Sequence, residues 1–152
     1  MHRGHVVFSQ FLLFVAYYSL IYYDTSKDTM AKKIKKILVV EDERPMARAL
    51  ELKLTHEGFT VTVAYNGEEA LSALEKDTFD MVMLDIMMPK LDGFGVLEQM
   101  KVRNYKMPAI VLSNLGQSED EKRARDLGAN KFFVKSNTPI MRIVDYAKEI
   151  LR

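Results

Sequence analysis

Five positions carry groups that together suit phosphate and a divalent cation: the acidic pair Glu41-Asp42, then Asp85, Ser113 and Lys135. Each follows a short apolar run of strand type. Ile37-Leu38-Val39-Val40 precedes Glu41, and Met81-Val82-Met83-Leu84 precedes Asp85. Ile110-Val111-Leu112 precedes Ser113, and Phe132-Phe133-Val134 precedes Lys135. In an open parallel α/β sheet, ligands bind in the crevice beyond the carboxyl ends of the strands. Three carboxylates, a hydroxyl and an ammonium gathered there would hold a hard cation and handle a phosphoryl group. Taken singly, each group is ordinary: a solvated acidic turn, an aspartate capping a proline loop, a surface serine or lysine. Their joint occurrence on four strand ends, in order, is what points to a site.

The elements that must position these groups alternate strand and helix five times. Pro45 sits in the first turn of a helix after Asp42, where a missing N–H costs nothing, and Gly58 stops it. Thr60 to Ala64 is rich in β-branched residues and reads as a strand. Asn66-Gly67-Glu68-Glu69 opens a second helix, with Asn66 as cap and Glu69 at the capping-box spacing. Pro89 to Gly93 is a loop, and Phe94 to Arg103 is helical. A fourth helix begins near Ser118, paired at capping-box spacing with Glu121, and ends at Gly128. Thr138-Pro139 is expected to cap a last helix whose Ile140, Ile143, Val144, Ala147 and Leu151 form one apolar stripe. Continuously apolar strands such as ILVV and MVML imply cover on both faces. Right-handed crossovers then give an α/β, doubly wound, three-layer sandwich around a parallel five-stranded sheet.

Composition narrows the class. A chain of 152 residues with a net charge of +1 has no general pull toward nucleic acid or acidic ligands. The absence of cysteine excludes disulfides and thiolate metal sites and suits a reducing cytoplasm. Residues 1–29 read differently: Val6 to Tyr23 has no charge over 18 residues. As a helix that stretch spans about 27 Å, just short of a hydrocarbon core of roughly 30 Å. Two readings follow. Residues 6–23 are a membrane anchor, with Lys32, Lys33, Lys35 and Lys36 holding the domain on the cytoplasmic face. Alternatively Met30 is the natural start of a cytoplasmic domain, 30–152, and residues 1–29 are an extension without function.

From Ile34 to Arg152 the chain resembles a response regulator receiver domain of two-component signalling, of the single-domain kind related to the chemotaxis regulator. The acidic pair matches Glu41 and Asp42, and the phosphoacceptor matches Asp85 within MVMLDIMMPKLDG. The Ser/Thr position matches Ser113, and the lysine matches Lys135. The resemblance implies a flavodoxin-like (βα)5 fold with strand order 2-1-3-4-5. It implies Mg²⁺ held by Asp42, Asp85 and the Met87 backbone carbonyl, with Glu41 reaching the ion through water. It implies a sensor histidine kinase or histidine phosphotransfer protein as donor, and switching through Ser113 and Phe132. On this reading the chain is not an enzyme but a stand-alone phosphorelay module. Its output is a downstream protein target rather than nucleic acid, and it is a monomer or a phosphorylation-dependent dimer. Three crowded carboxylates are expected to raise at least one pKa without the metal.

Ser136 and Asn114 depart from the pattern, while Phe132 fits an aromatic switch position that is usually Tyr or Phe. Ser136 follows Lys135 where the family usually has a cis proline. A non-proline cis bond costs about 3–4 kcal/mol, so the loop is expected to be either trans and rearranged or cis under strain. Phe132 lacks the hydroxyl of a tyrosine switch. Asn114 is larger than the usual small residue and is expected to alter the dephosphorylation rate. Met87 and Met88 flank the site; His56, Lys122, Arg123 and Arg125 are expected on solvated surfaces. The principal alternative is a phosphorylation-independent protein-interaction module. An aspartyl-phosphate phosphatase would carry a second aspartate where Met87 stands, and a flavin site would not use the acidic EDERPMAR loop.

Overall fold

A computed structural model describes residues 33–152. The anchor and start-site readings of residues 1–29, and Lys32, lie outside the described residues. Among the described residues no helix is long and apolar enough to cross a membrane.

The elements run β1 (Lys36–Val40), α1 (Arg44–His56), β2 (Thr60–Ala64), α2 (Gly67–Lys76), β3 (Met81–Asp85), α3 (Gly93–Val102), β4 (Ala109–Ser113), α4 (Ser118–Asp126), β5 (Lys131–Val134) and α5 (Ile140–Ile150). All pairings are parallel, in the order β2-β1-β3-β4-β5. This is the doubly wound fold and strand order expected.

The apolar strands work because side chains alternate faces along a strand. Leu38, Val40, Val82, Leu84 and Val111 pack on one side with Leu74, Leu97 and Ala124 of α2, α3 and α4. Ile37, Val39, Met81, Met83, Ile110 and Leu112 pack on the other with Leu50 and Leu54 of α1 and Ile143 and Val144 of α5. One run of consecutive apolar residues thus feeds two cores. Each fully buried Leu or Ile contributes roughly 1.5–3 kcal/mol relative to exposure.

Helix ends show where local sequence decides and where it does not. Pro45 lies in the first turn of α1, and Gly58 (φ +92°) and Gly128 (φ +103°) provide the left-handed turns after α1 and α4. Asn66 caps α2 as expected, its Oδ1 accepting from the Glu69 N–H at 3.0 Å. The Glu69 carboxylate reaches back one residue further than a standard capping box and accepts from the Tyr65 N–H at 2.8 Å. Ser118 is not a cap. It is already inside α4, after Gln117, and its hydroxyl donates to Glu119 at 3.0 Å rather than engaging Glu121. Thr138 does not cap α5 either. Pro139 stands at that position, and Thr138 closes a single 3-10 turn over Lys135–Asn137. Every peptide bond of the described residues is trans. The Lys135–Ser136 bond is therefore trans, and Lys135–Asn137 form the 3-10 turn that leads toward α5.

Candidate phosphoacceptor and metal site

Parallel strands bring all their carboxyl ends to one edge, and the five residues follow. Glu41 continues the β1 ladder, its N–H donating to the Ala64 carbonyl at 3.0 Å. Asp85 ends β3 in register with Leu112, so Ser113 at the end of β4 stands one residue beyond it. Ser113 is in turn in register with Val134, the residue before Lys135.

Glu41 is 1% exposed, Asp85 3% and Ser113 0%. Buried charges need partners, and one ammonium serves both carboxylates. Lys135 Nζ donates to Asp85 Oδ2 at 2.8 Å and to Glu41 at 3.0 and 3.1 Å. The other Asp85 oxygen accepts from the Met87 N–H at 3.2 Å. Ser113 Oγ accepts from the Leu115 N–H at 3.2 Å, which leaves the serine O–H as a donor.

Burial pushes the Glu41 carboxyl up to about 7; the Lys135 hydrogen bond opposes this and the Asp85 charge adds to it. A raised carboxyl was expected from crowding, but desolvation is the larger cause. Burial alone would pull the Lys135 ammonium down. Its hydrogen bonds to Asp85 and Glu41 outweigh that and hold it above the ordinary lysine value.

Glu41, Asp42 and Asp85 each offer a carboxylate oxygen, and these atoms lie within 4.8 Å of one another. Hard oxygen donors at that spacing fit a small divalent cation such as Mg²⁺. Glu41, expected to reach an ion through water, also accepts hydrogen bonds from Lys135. Glu43 was not anticipated: exposed, it stands 3.7 Å from Lys135 Nζ, and its place beside the acidic pair was the available signal.

Of the remaining expectations, Phe132 is half-buried against the α2–α4 core, in register with Val111. Met88 packs there too, whereas Met87 is exposed. His56, Lys122 and Arg125 are exposed, and Arg125 pairs with Glu121 at 2.7 Å. Arg123 is less idle: its guanidinium lies 4.0 Å over the Phe94 ring.

Residues 37–145 match the family described as the response regulator receiver domain. The chain belongs to that family. This receiver is 42% identical over 110 residues to a probable transcriptional regulator, ycf27, of Pyropia yezoensis, covering 72% of this chain and 45% of that one. It thus spans about half the length of the curated relatives it matches. Among solved structures it resembles the receiver domain of the Francisella response regulator 1452 at 28% identity, with a TM-score of 0.73 over 77% of this chain and 96% of that one. It also resembles a Thermotoga maritima response regulator, TrrA, in complex with Mg²⁺ and BeF, at 29% identity and a TM-score of 0.68, over 77% and 99%.

Proposed function

We propose that this receiver accepts a phosphoryl group on Asp85 from a phosphohistidine of a sensor kinase or phosphotransfer protein. The observation that carries the reading is the Asp85 carboxylate itself: buried, held by Lys135 at 2.8 Å, and grouped with Glu41 and Asp42. In the transfer, an Asp85 oxygen forms a bond to phosphorus and the phosphorus–nitrogen bond of the donor imidazole breaks. The electron pair of that bond stays on the imidazole nitrogen, which takes up a proton. The product is an acyl phosphate on Asp85.

Asp42, Asp85 and the Met87 carbonyl would hold Mg²⁺, with Glu41 in support. The ion supplies neutralisation of the phosphoryl oxygens. Lys135 orients the Asp85 carboxylate and meets the incoming negative charge, and Ser113 donates its hydroxyl to the phosphoryl group. The receiver assists its own phosphorylation and dephosphorylation without being a turnover enzyme. Phosphorylation biases a two-state equilibrium through Ser113 and Phe132, and the surface formed by α4, β5 and α5 is read by a protein partner in the cytoplasm. It would signal by capture of that partner.

The test is intact mass of the full chain after incubation with acetyl phosphate and Mg²⁺, beside Asp85→Asn. A gain of one phosphoryl group, absent in the variant and abolished by a chelator, is expected. No gain from acetyl phosphate and none from a phosphohistidine donor would leave the phosphorylation-independent binding module as the better reading.

A further inference from the structure

Gly67 opens α2, a helix that among the described residues supplies no side chain to the site, yet its backbone touches the loop that carries Met87. The Gly67 N–H donates to the Leu91 carbonyl oxygen at 3.1 Å. A Cβ on Gly67 would stand 2.4 Å from that oxygen and 2.8 Å from both Leu91 Cβ and Val96 Cγ2. A side-chain tip can turn away from such a contact; a backbone carbonyl moves only with its loop.

That loop has little slack. At its far end the Gly93 N–H donates to the Ile86 carbonyl at 2.9 Å. A Cβ on Gly93 would stand 2.2 Å from the Asp85 carbonyl oxygen. Met87 lies between these fixed points, its N–H donating to Asp85 Oδ1. A displacement of Leu91 therefore has to be taken up by residues 86–90. Gly95 meets the same leucine differently: its Cβ would press only on the side chain, 2.5 Å from Leu91 Cδ1.

We infer that Gly67 is a positioning residue for the metal-binding loop. Its bare Cα lets the start of α2 hold the Leu91 carbonyl, and so sets where the Met87 carbonyl and the Asp85 carboxylate stand. This rests on the reading of the site as an Mg²⁺-dependent phosphoacceptor. A purely helical role predicts no loss of Mg²⁺ binding, since alanine is a better helix former than glycine.

The experiment is calorimetric titration of Mg²⁺ into the full chain, wild type, Gly67→Ala and Gly95→Ala. It is paired with amide hydrogen exchange at Met87 and Gly93 in the metal-free proteins. Gly67→Ala is expected to weaken Mg²⁺ binding about tenfold, at the low end of what outer-shell partners of metal ligands command, and to speed exchange at both amides. Gly95→Ala is expected to do clearly less, because Leu91 Cδ1 can turn aside. Equal Mg²⁺ affinity and unchanged exchange in Gly67→Ala would overturn the inference while leaving the site reading intact. A wild-type chain that binds no Mg²⁺ would overturn the site reading itself. If Gly67→Ala does not fold, the wild-type chain decides: slower hydrogen exchange at the Gly67 amide on adding Mg²⁺ supports the coupling of the Gly67–Leu91 hydrogen bond to the metal-binding loop, and unchanged exchange refutes it.

Discussion

The Lys135 ammonium lies 2.8 Å from Asp85 Oδ2, a contact that joins the ends of two strands with β4 between them. Glu41 is bound by the same nitrogen, so one cation compensates two buried carboxylates. Deleting one partner of a buried pair costs about 3–5 kcal/mol because the other is left uncompensated. Lys135→Met is expected to lower metal-free stability by about 3 kcal/mol at pH 8, measured by urea denaturation. The loss shrinks at pH 5.5, where Glu41 can take a proton.

The raised Glu41 carboxyl sets a pH dependence of its own. Its ordinary value is 4.5 and its folded value is about 7, so between those limits the folded state holds a proton that the unfolded state has lost. Stability of the metal-free protein should therefore fall as pH rises from 4.5 to 7 and level off above, by up to about 3 kcal/mol from this group. Urea midpoints across that range check the slope, and Glu41→Gln should flatten it.

Metal binding should show the mirror image. A cation that favours the ionised acidic cluster competes with the Glu41 proton. Mg²⁺ affinity is expected to climb with pH below 7, by up to about tenfold per unit, and to level off above 7. Calorimetric titrations at pH 6, 7 and 8 decide it; a flat response would mean that Glu41 does not communicate with the ion.

Asn114 is exposed directly after the buried Ser113. As an obstacle to water approaching the acyl phosphate, its removal should shorten the lifetime of the phosphorylated state. Asn114→Ala and wild type, followed by mass after removal of the phosphodonor, give the comparison. An unchanged decay rate would exclude the obstacle.

The two serine and asparagine helix starts make opposite predictions. Asn66 accepts from the Glu69 N–H, and Asn66→Ala should cost about 1 kcal/mol of stability. Ser118→Ala should change stability by less than about 0.5 kcal/mol, because its hydroxyl caps nothing.

The same pair shows what could be read in the sequence. Asn66 was legible because its partner lies three residues away and a capping box needs only local backbone. Ser118 and Glu121 have the same spacing, but the chain enters α4 one residue earlier, so the serine already has helical geometry. The strands were legible because apolar runs ending in chemically active residues leave few alternatives in a parallel sheet. Which partners those active residues take was less so. That Lys135 would bind Glu41 directly depends on β1 and β5 ending at the same edge of the sheet, just before Glu41 and Lys135, and nothing local to either residue reports it. The 3-10 turn over Lys135–Asn137 was half legible: Ser136 in place of the usual proline left a trans and a cis bond both open, and the bond is trans.

The separation of Lys135 from Glu41 by 94 residues has a consequence for biosynthesis. A ribosome delivers Glu41, Asp42 and Asp85 well before it delivers the ammonium that balances two of them. A nascent or truncated chain lacking β5 and the turn after it would hold three carboxylates without the Lys135 ammonium. Lys135 can therefore reach Glu41 and Asp85 only once β5 has been translated and docked beside β4.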